Sequence, residues 1–374
     1  ITASNGGDDD GDGAVIKIHG ESYNQGNQEI ITYYSGVTFN NCVISDIDGE
    51  DTPVEVFTGQ VVFIDCEISD NTFDASNSGG NGGHGGALRV GDPFGSMGGS
   101  SVDFYRSRLM NNTVTTGSNS AEWVSGGALE IGPSNQNNVK LVNTIVAGNL
   151  VYYGSNMGES PSGGGIKFSG GALFLINSTV ADNQISTNNN DLMGGGGSAI
   201  HGKDWTDDGI TPQVVIFNSI VHGNSETINM DSSPSTSYNN QFVFDDDFND
   251  GIAVLASYSL FGGDDDLNGY GILDADPEFL DSTYVLDSRS PAIGVGGLES
   301  EDIEGNLIYA PATDIAGNIR PNPTDADAYV DREAVPDLGA WEHELAVSPY
   351  PPIVEDVTVT PLHESVLVEW SYHE

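Results

Sequence analysis

Three shortages bound this chain before any motif is read. Cysteine is the first: two thiols, Cys42 and Cys66, in 374 residues. That leaves no dense disulfide scaffold and no four-cysteine metal site. Basic residues are the second: Lys and Arg number 10 against 56 Asp and Glu, a formal net charge of −46. A surface of that sign repels phosphate backbones and anionic lipid, which excludes nucleic acid as a partner. It also opposes unassisted binding of acidic polysaccharide. The third is any apolar run of 18 residues, so no membrane insertion is expected. Helical periodicity sustained over about 10–12 residues is scarce too. No signal peptide is visible, and the chain meets strand-like residues 14–18 (AVIKI) soon after Ile1. An uncapped sheet edge so near the start predicts a piece of a longer polypeptide.

What the chain has is glycine and repetition. Glycine takes 49 positions, about 13% against a usual level near 7%. A phrase of alternating apolar residues, a small polar corner, a β-branched pair and then Asn recurs along the chain. It reads VFIDCEISDN at 62–71, KLVNTIVAGN at 140–149, LFLINSTVADN at 173–183 and VVIFNSIVHGN at 214–224. Looser copies lie at 38–46, 102–112 and 253–263. From corner to corner, Asn41 to Asp65 is 24 residues, and later spacings run through Arg106, Asn143, Asn177 and Asn218 at 41, 37, 34 and 41. Fixed-period copies of short period-2 segments predict an all-β parallel solenoid, the longer spacings being a coil plus an insertion.

A second phrase precedes the first by about one strand: HGGALRVG at 84–91, SGGALEIG at 125–132, GGGIKFS at 163–169 and GGSAIHG at 196–202. Paired glycines let the chain enter a strand through backbone angles other residues avoid. Arg89 and Glu130 then point outward between inward aliphatics. Coils stacked at the roughly 4.8 Å strand spacing turn such positions into ladders. Corner residues Asn143, Asn177 and Asn218 are expected to be structural amides serving turn backbone and stacked neighbours. Cys42 and Cys66 occupy the same place in successive coils. Two readings stand for them: a disulfide, or a pair of small buried residues where later coils carry Ser or Thr.

The coil phrases resemble the right-handed parallel β-helix proteins of the pectate-lyase-like superfamily, over roughly residues 14–262. Residues 263–344 carry DPEF at 276–279, SPAI at 290–293, D-x-x-G-N-x-R at 314–320 and DLGAWE at 337–342. Four spaced motifs in this order resemble the choice-of-anchor tail that follows bacterial surface β-helices. Gly294 stands where that pattern has Asp after SPAI, so any role of that Asp does not carry over. From Pro351 the text resembles the first two strands of a fibronectin type III domain, with Trp370 as its core tryptophan. The expected organisation is a right-handed parallel β-helix over 1–262, an irregular region over 263–350 packed on its end, and an incomplete fibronectin-like segment over 351–374. The solenoid is expected to hold about seven to eight coils.

Three acidic loops are candidate calcium sites: Asp8, Asp10 and Asp12; Asp264, Asp266 and Asn268; and Asp245 with Asp247. Alternate carboxylates on a tight turn can converge on a cation that wants 6–8 oxygens. His19 and Ala275 stand at the twelfth loop positions of the first two, so neither is an EF-hand; solvated acidic loops are the plainer reading. For catalysis, the candidate is the loop from His201 to Asp208. Lys203 would be the base of a lyase, His201 and Asp204 its neighbours, and the aspartates a calcium site; a polar insertion explains the same residues. Arg89, Arg106 and Arg108 lie one to three coils away. Insertions at 71–83, 113–124 and 152–163 share one site in the coil and carry Trp123, Tyr152 and Tyr153, a candidate strip for a glycan or cell-surface ligand.

The composition and resemblances together predict a secreted, extracellular bacterial surface module, non-catalytic, calcium-stabilised, and serving adhesion, matrix or filament assembly. Self-association through the chain ends is a further expectation. The alternative is a calcium-dependent polysaccharide lyase or glycoside hydrolase.

Overall fold

A computed structural model describes residues 16–18, 21–24, 29–33, 36–77, 83–91, 99–116, 123–154, 161–188, 196–205, 210–230, 233–238, 240–245, 251–262, 267, 269–321, 335–344, 354–362 and 365–372. Four long sheets of seven strands each dominate it, parallel throughout except that Ser233–Tyr238 joins the edge of one of them antiparallel. We number them I to IV in the order the chain visits them. In one coil, Leu129–Ile131 belongs to sheet I, Asn138–Val142 to sheet II, Ile145–Ala147 to sheet III and Leu150–Tyr153 to sheet IV. The next coil repeats the order with Ile166–Phe168, Ala172–Ile176, Thr179–Ala181 and Gln184–Thr187, paired parallel and in register. Among the described residues six coils place a strand in all four sheets. A seventh, partial coil of Phe242–Asp245, Ala253–Ser257 and Leu260–Phe261 adds one more rung to sheets I, II and III, against the seven to eight coils expected.

The corners follow from backbone angles. Between sheets II and III the chain passes through the left-handed region at Asn41, Asp65, Arg106, Asn143, Asn177 and Asn218, with φ of 45–52°. Between III and IV it does so at Asp46, Asp70, Asn111, Gly148, Asp182 and Gly223. Asn, Asp and Gly tolerate that region best, which is why the sequence repeats them there. Each corner is followed by a ladder. Cys66, Ser107, Thr144, Ser178, Ser219 and Ser259 stack one above another, and the hydroxyls of Ser107, Ser178, Ser219 and Ser259 each accept from the backbone N–H one rung back. Cys42 and Cys66 are both free thiols in this series, Cys66 buried and Cys42 partly buried.

A second ladder, of amides, sits one turn on. Asn71, Asn112, Asn149, Asn183, Asn224 and Gln241 donate and accept side chain to side chain at 2.8–3.0 Å, without interruption. Each Asn is also fully or almost fully buried. This is the terminal Asn of the repeated phrase, and the corner asparagines play a different part. Asn218 does donate to Asn177 Oδ1 at 3.2 Å, but Asn143 donates to Thr313 O, Asn177 to Asp337 O and Asn218 to Gly297 O. They dock the C-terminal region.

That docking runs along the flank. Residues 269–273 add a last rung by pairing Tyr270 with Ser257 and Leu273 with Leu260. Beyond them, Tyr284, Ile315 and Ala340 pack on Ile145, Ala147 and Ala181 of sheet III, and Ile308 on Phe174 and Phe217 of sheet II. The region expected on the solenoid's end therefore caps one rung there and then covers the outer faces of sheets II and III. Residues Val354–Leu362 and Ser365–Tyr372 form an antiparallel hairpin.

Two cores run through the solenoid. Sheets I, II and III enclose the larger, in which Phe39, Phe63 and Phe104 stack at 4.9 and 4.7 Å before Leu141, Leu175 and Ile216 continue the row. The smaller lies between sheet IV and the short strands Gly83–His84 and Val124–Ser125, and holds Phe73, Val114, Val151, Tyr153 and Ile185. Tyr153, expected on a surface strip, is fully buried in it.

Candidate functional site

The paired glycines fix where sheet I begins. A Cβ on Gly127 would stand 2.0 Å from Gly164 O, and one on Gly86 2.2 Å from Gly127 O, so successive coils touch backbone to backbone here. Each sheet I strand places one residue outward between two that point to the core, as Leu88 and Val90 flank Arg89 and Leu129 and Ile131 flank Glu130. In register, those residues are Lys17, Glu55, Arg89, Glu130, Lys167, His201 and Val243. The row alternates in sign over its first five members. It also holds three of the ten basic residues of a very acidic chain.

The charged members of the row are met by one another and by the short strands beside it. Glu55 lies 3.4 Å from Lys17 Nζ and 3.7 Å from Arg89 Nη1. Burial pushes the Glu55 carboxyl above its ordinary range, against the pull of Lys17 and Arg89. Glu130 accepts from Ser125 Oγ at 2.5 Å and lies 2.9 Å from His84 Nδ1, both on the short strands that face sheet I. Burial raises its pKa too, but His84, Arg89 and Ser125 together outweigh that and hold it below the usual range. Lys167 Nζ donates to His201 Nδ1 at 2.5 Å. Glu55, Glu130, Lys167 and His201 are all buried despite facing away from the main core.

At one end of this row the surface becomes aromatic. Lys203, two residues beyond His201 on the same side of the strand, sits over the Trp205 ring at 4.9 Å. Trp205 meets Trp123, with ring centroids 6.4 Å apart and planes at 33°. Trp123 and Trp205 are 51% and 46% exposed. Asp204, between Lys203 and Trp205 in sequence, is buried.

Of the candidate catalytic residues, His201 and Lys203 lie on one strand with Asp204 just after it, but His201 is engaged by Lys167 and Lys203 by Trp205, and Arg89 shares their sheet. Arg106 and Arg108 lie elsewhere. Arg106 forms a two-pronged pair with Asp65 at 2.7 and 2.9 Å on the corner between sheets II and III. Arg108 on sheet III stands 5.9 Å over Trp341. Asp207 and Asp208 lie outside the described residues. So do the candidate calcium ligands Asp8, Asp10, Asp12, Asp264, Asp266, Asn268 and Asp247, while only the backbone of Asp245 is described. Among the described residues no cluster of three or more His, Cys, Asp or Glu is placed to hold a metal ion.

Sequence reasoning missed the row as a unit. Arg89 and Glu130 were legible as outward, but the alternation from Lys17 to Lys167 and the approach of His84 and Ser125 were not singled out. The signal was present: the middle residue of each sheet I strand reads K, E, R, E, K, H, the last four of them after glycine pairs.

No protein-family model, no curated protein and no solved structure matches this chain.

Proposed function

We propose that the chain is a secreted bacterial surface module, extracellular and non-catalytic, serving adhesion or matrix assembly. In this reading residues 14–262 are a β-helix of the pectate-lyase-like kind, 263–344 a choice-of-anchor-like region, and the hairpin after it the start of a fibronectin-like unit. One observation carries it. The cations that would activate a substrate carboxylate, Arg89 and Lys167, are committed to the row's own carboxylate and imidazole. A reacting centre needs preorganised groups aimed at substrate, and these are aimed at each other.

The motif region supports the same reading. Arg320 is buried, donates to the carbonyls of Asp337 and Gly339, and lies 3.5 Å from Glu342. Asp337 accepts from Gly294 N and His343 N, and Asp314 from Ala316 N, Asn318 N and Glu342 N. The motifs that the resemblance rests on hold each other and the solenoid flank together; their chemistry is spent on docking. Calcium bound by the acidic loops completes the reading as a stabiliser of a chain carrying −46.

A second reading has one observation in its favour. Glu55 and Glu130 stand two rungs apart in one row, about 9.6 Å at the strand spacing, with pKa values displaced in opposite directions. That pattern suits an inverting glycoside hydrolase. Arg89 between them and the depth of both carboxylates weigh against it.

An assay for new reducing ends and new unsaturated ends, on neutral and acidic polysaccharides with calcium present, separates the two. The surface-module reading predicts neither product. Turnover abolished in Lys203→Ala, Glu55→Gln or Glu130→Gln would replace it with an enzyme.

A further inference from the structure

We propose that Trp123 and Trp205 form a stacking shelf for an uncharged pyranose ring of a glycan. The inference deepens the surface-module reading and rests on it for the purpose of binding, though not for its test. Tryptophan is rarely left half exposed on a soluble surface without a use for its area. Here two such rings stand 6.4 Å apart, brought together from positions 82 residues apart in sequence. Neither insertion explains the other; the solenoid's stacking makes the pair.

Both rings stand on a fixed backbone. Trp123 O accepts from Gly83 N at 2.6 Å, which places it in the ladder of short strands. Trp205 N donates to Ser169 O at 3.3 Å, and Lys203 covers part of its ring. A site whose aromatic groups are ordered beforehand loses less entropy on binding than loop side chains would. The gap between the rings is too narrow to admit a sugar, so the ligand stacks on the open faces of the tilted pair. The polar groups that fix its orientation are those beside the shelf, with Lys203 as the hydroxyl-binding donor.

The charge around the shelf selects the class of sugar. Lys167 and Lys203 are offset by Glu130 and Asp204 within the same few rungs, so the site itself carries no net cation. The remainder of the molecule repels polyanions. A carboxylated polymer meets a penalty at every approach, whereas the apolar face of a neutral hexose meets none.

Affinity electrophoresis tests this with soluble polymers cast in the gel: barley β-glucan, galactomannan and dextran as neutral probes, polygalacturonate and alginate as acidic ones, each with calcium and with chelator. Retardation is expected on at least one neutral polymer, independent of calcium. It should weaken about tenfold or more in Trp123→Ala and in Trp205→Ala, and survive in part in Trp205→Phe. Melting curves of all three variants should match the parent, because the replaced side chains are half exposed. No retardation on any neutral polymer, retardation on acidic polymers alone, or retardation that survives both alanine variants would overturn the proposal. Turnover in the end-group assay with retardation intact would remove the surface-module reading and leave the shelf standing; no turnover and no retardation would do the reverse.

Discussion

At the scale of single residues, polar groups decide the fold as much as the aliphatics do. The amide ladder shows it. Asn149 Oδ1 accepts from both the backbone and the side chain of Asn112, while its Nδ2 donates to Leu109 O and Asn183 Oδ1. Removing it strands several buried groups, so Asn149→Ala is expected to cost about 2–4 kcal/mol in urea unfolding. Asn138 on sheet II, half exposed, should cost well under 1 kcal/mol when changed likewise. Glu226 is the opposite case. It takes the inward place of Phe73, Val114, Val151 and Ile185 in the minor core, fully buried. Asn240 Nδ2 at 3.4 Å and the Gly197 N–H are its donors, and burial pushes its pKa to about 7. A carboxyl raised in the folded state favours folding fully below its unfolded value. That contribution is lost as pH rises from the ordinary glutamate range through about 7. The loss is on the order of 3 kcal/mol. Glu226→Gln should therefore be more stable than the parent at pH 8 and nearly equal to it at pH 4, by denaturant unfolding at both. A constant difference across pH would mean that Glu226 does not titrate in this range.

At the scale of elements, the coil was legible and its attachments were not. Strand positions, the parallel pairing, the glycine entry and the hydroxyl series around Cys66 all follow from local pattern, because each coil repeats the same steric demands. The corner asparagines misled for the same reason. Asn143, Asn177 and Asn218 look like the other corners, and nothing local says that a segment 79–170 residues away will bind them. Their docking role can be isolated. Asn218→Gly keeps the left-handed backbone but removes three hydrogen bonds, to Asn177, to Gly297 O and from Gly297 N. About 2–4 kcal/mol should be lost, and hydrogen exchange should quicken in residues 292–297. Asn41→Gly, at an exposed corner of the same kind, should cost less than about 1 kcal/mol. The candidate site divides the same way. His201, Lys203 and Trp205 were visible as one loop, whereas their meeting with Trp123 and the row above depends on the number of residues in each insertion.

At the scale of the whole molecule, charge sets the terms. A chain with 56 acidic and 10 basic residues repels itself unless counter-ions gather. The acidic loops at 8–12, 245–250 and 264–268 are where calcium is proposed to act, since a ligand bound only by the folded state raises its melting temperature. Chelation is expected to lower the melting temperature in a way that magnesium or sodium at equal ionic strength does not restore. Equal melting in calcium and chelator would reduce those loops to solvated charge. The central claim is that this solenoid holds a glycan and leaves it whole. The most direct measurement is the molar mass of a neutral polysaccharide that the chain retards, followed by light scattering through a day at equimolar protein and calcium. An unchanged molar mass, with the protein still bound, is the predicted result. A molar mass that falls with time, and stops falling when Glu55, Glu130 or Lys203 is replaced, would contradict it.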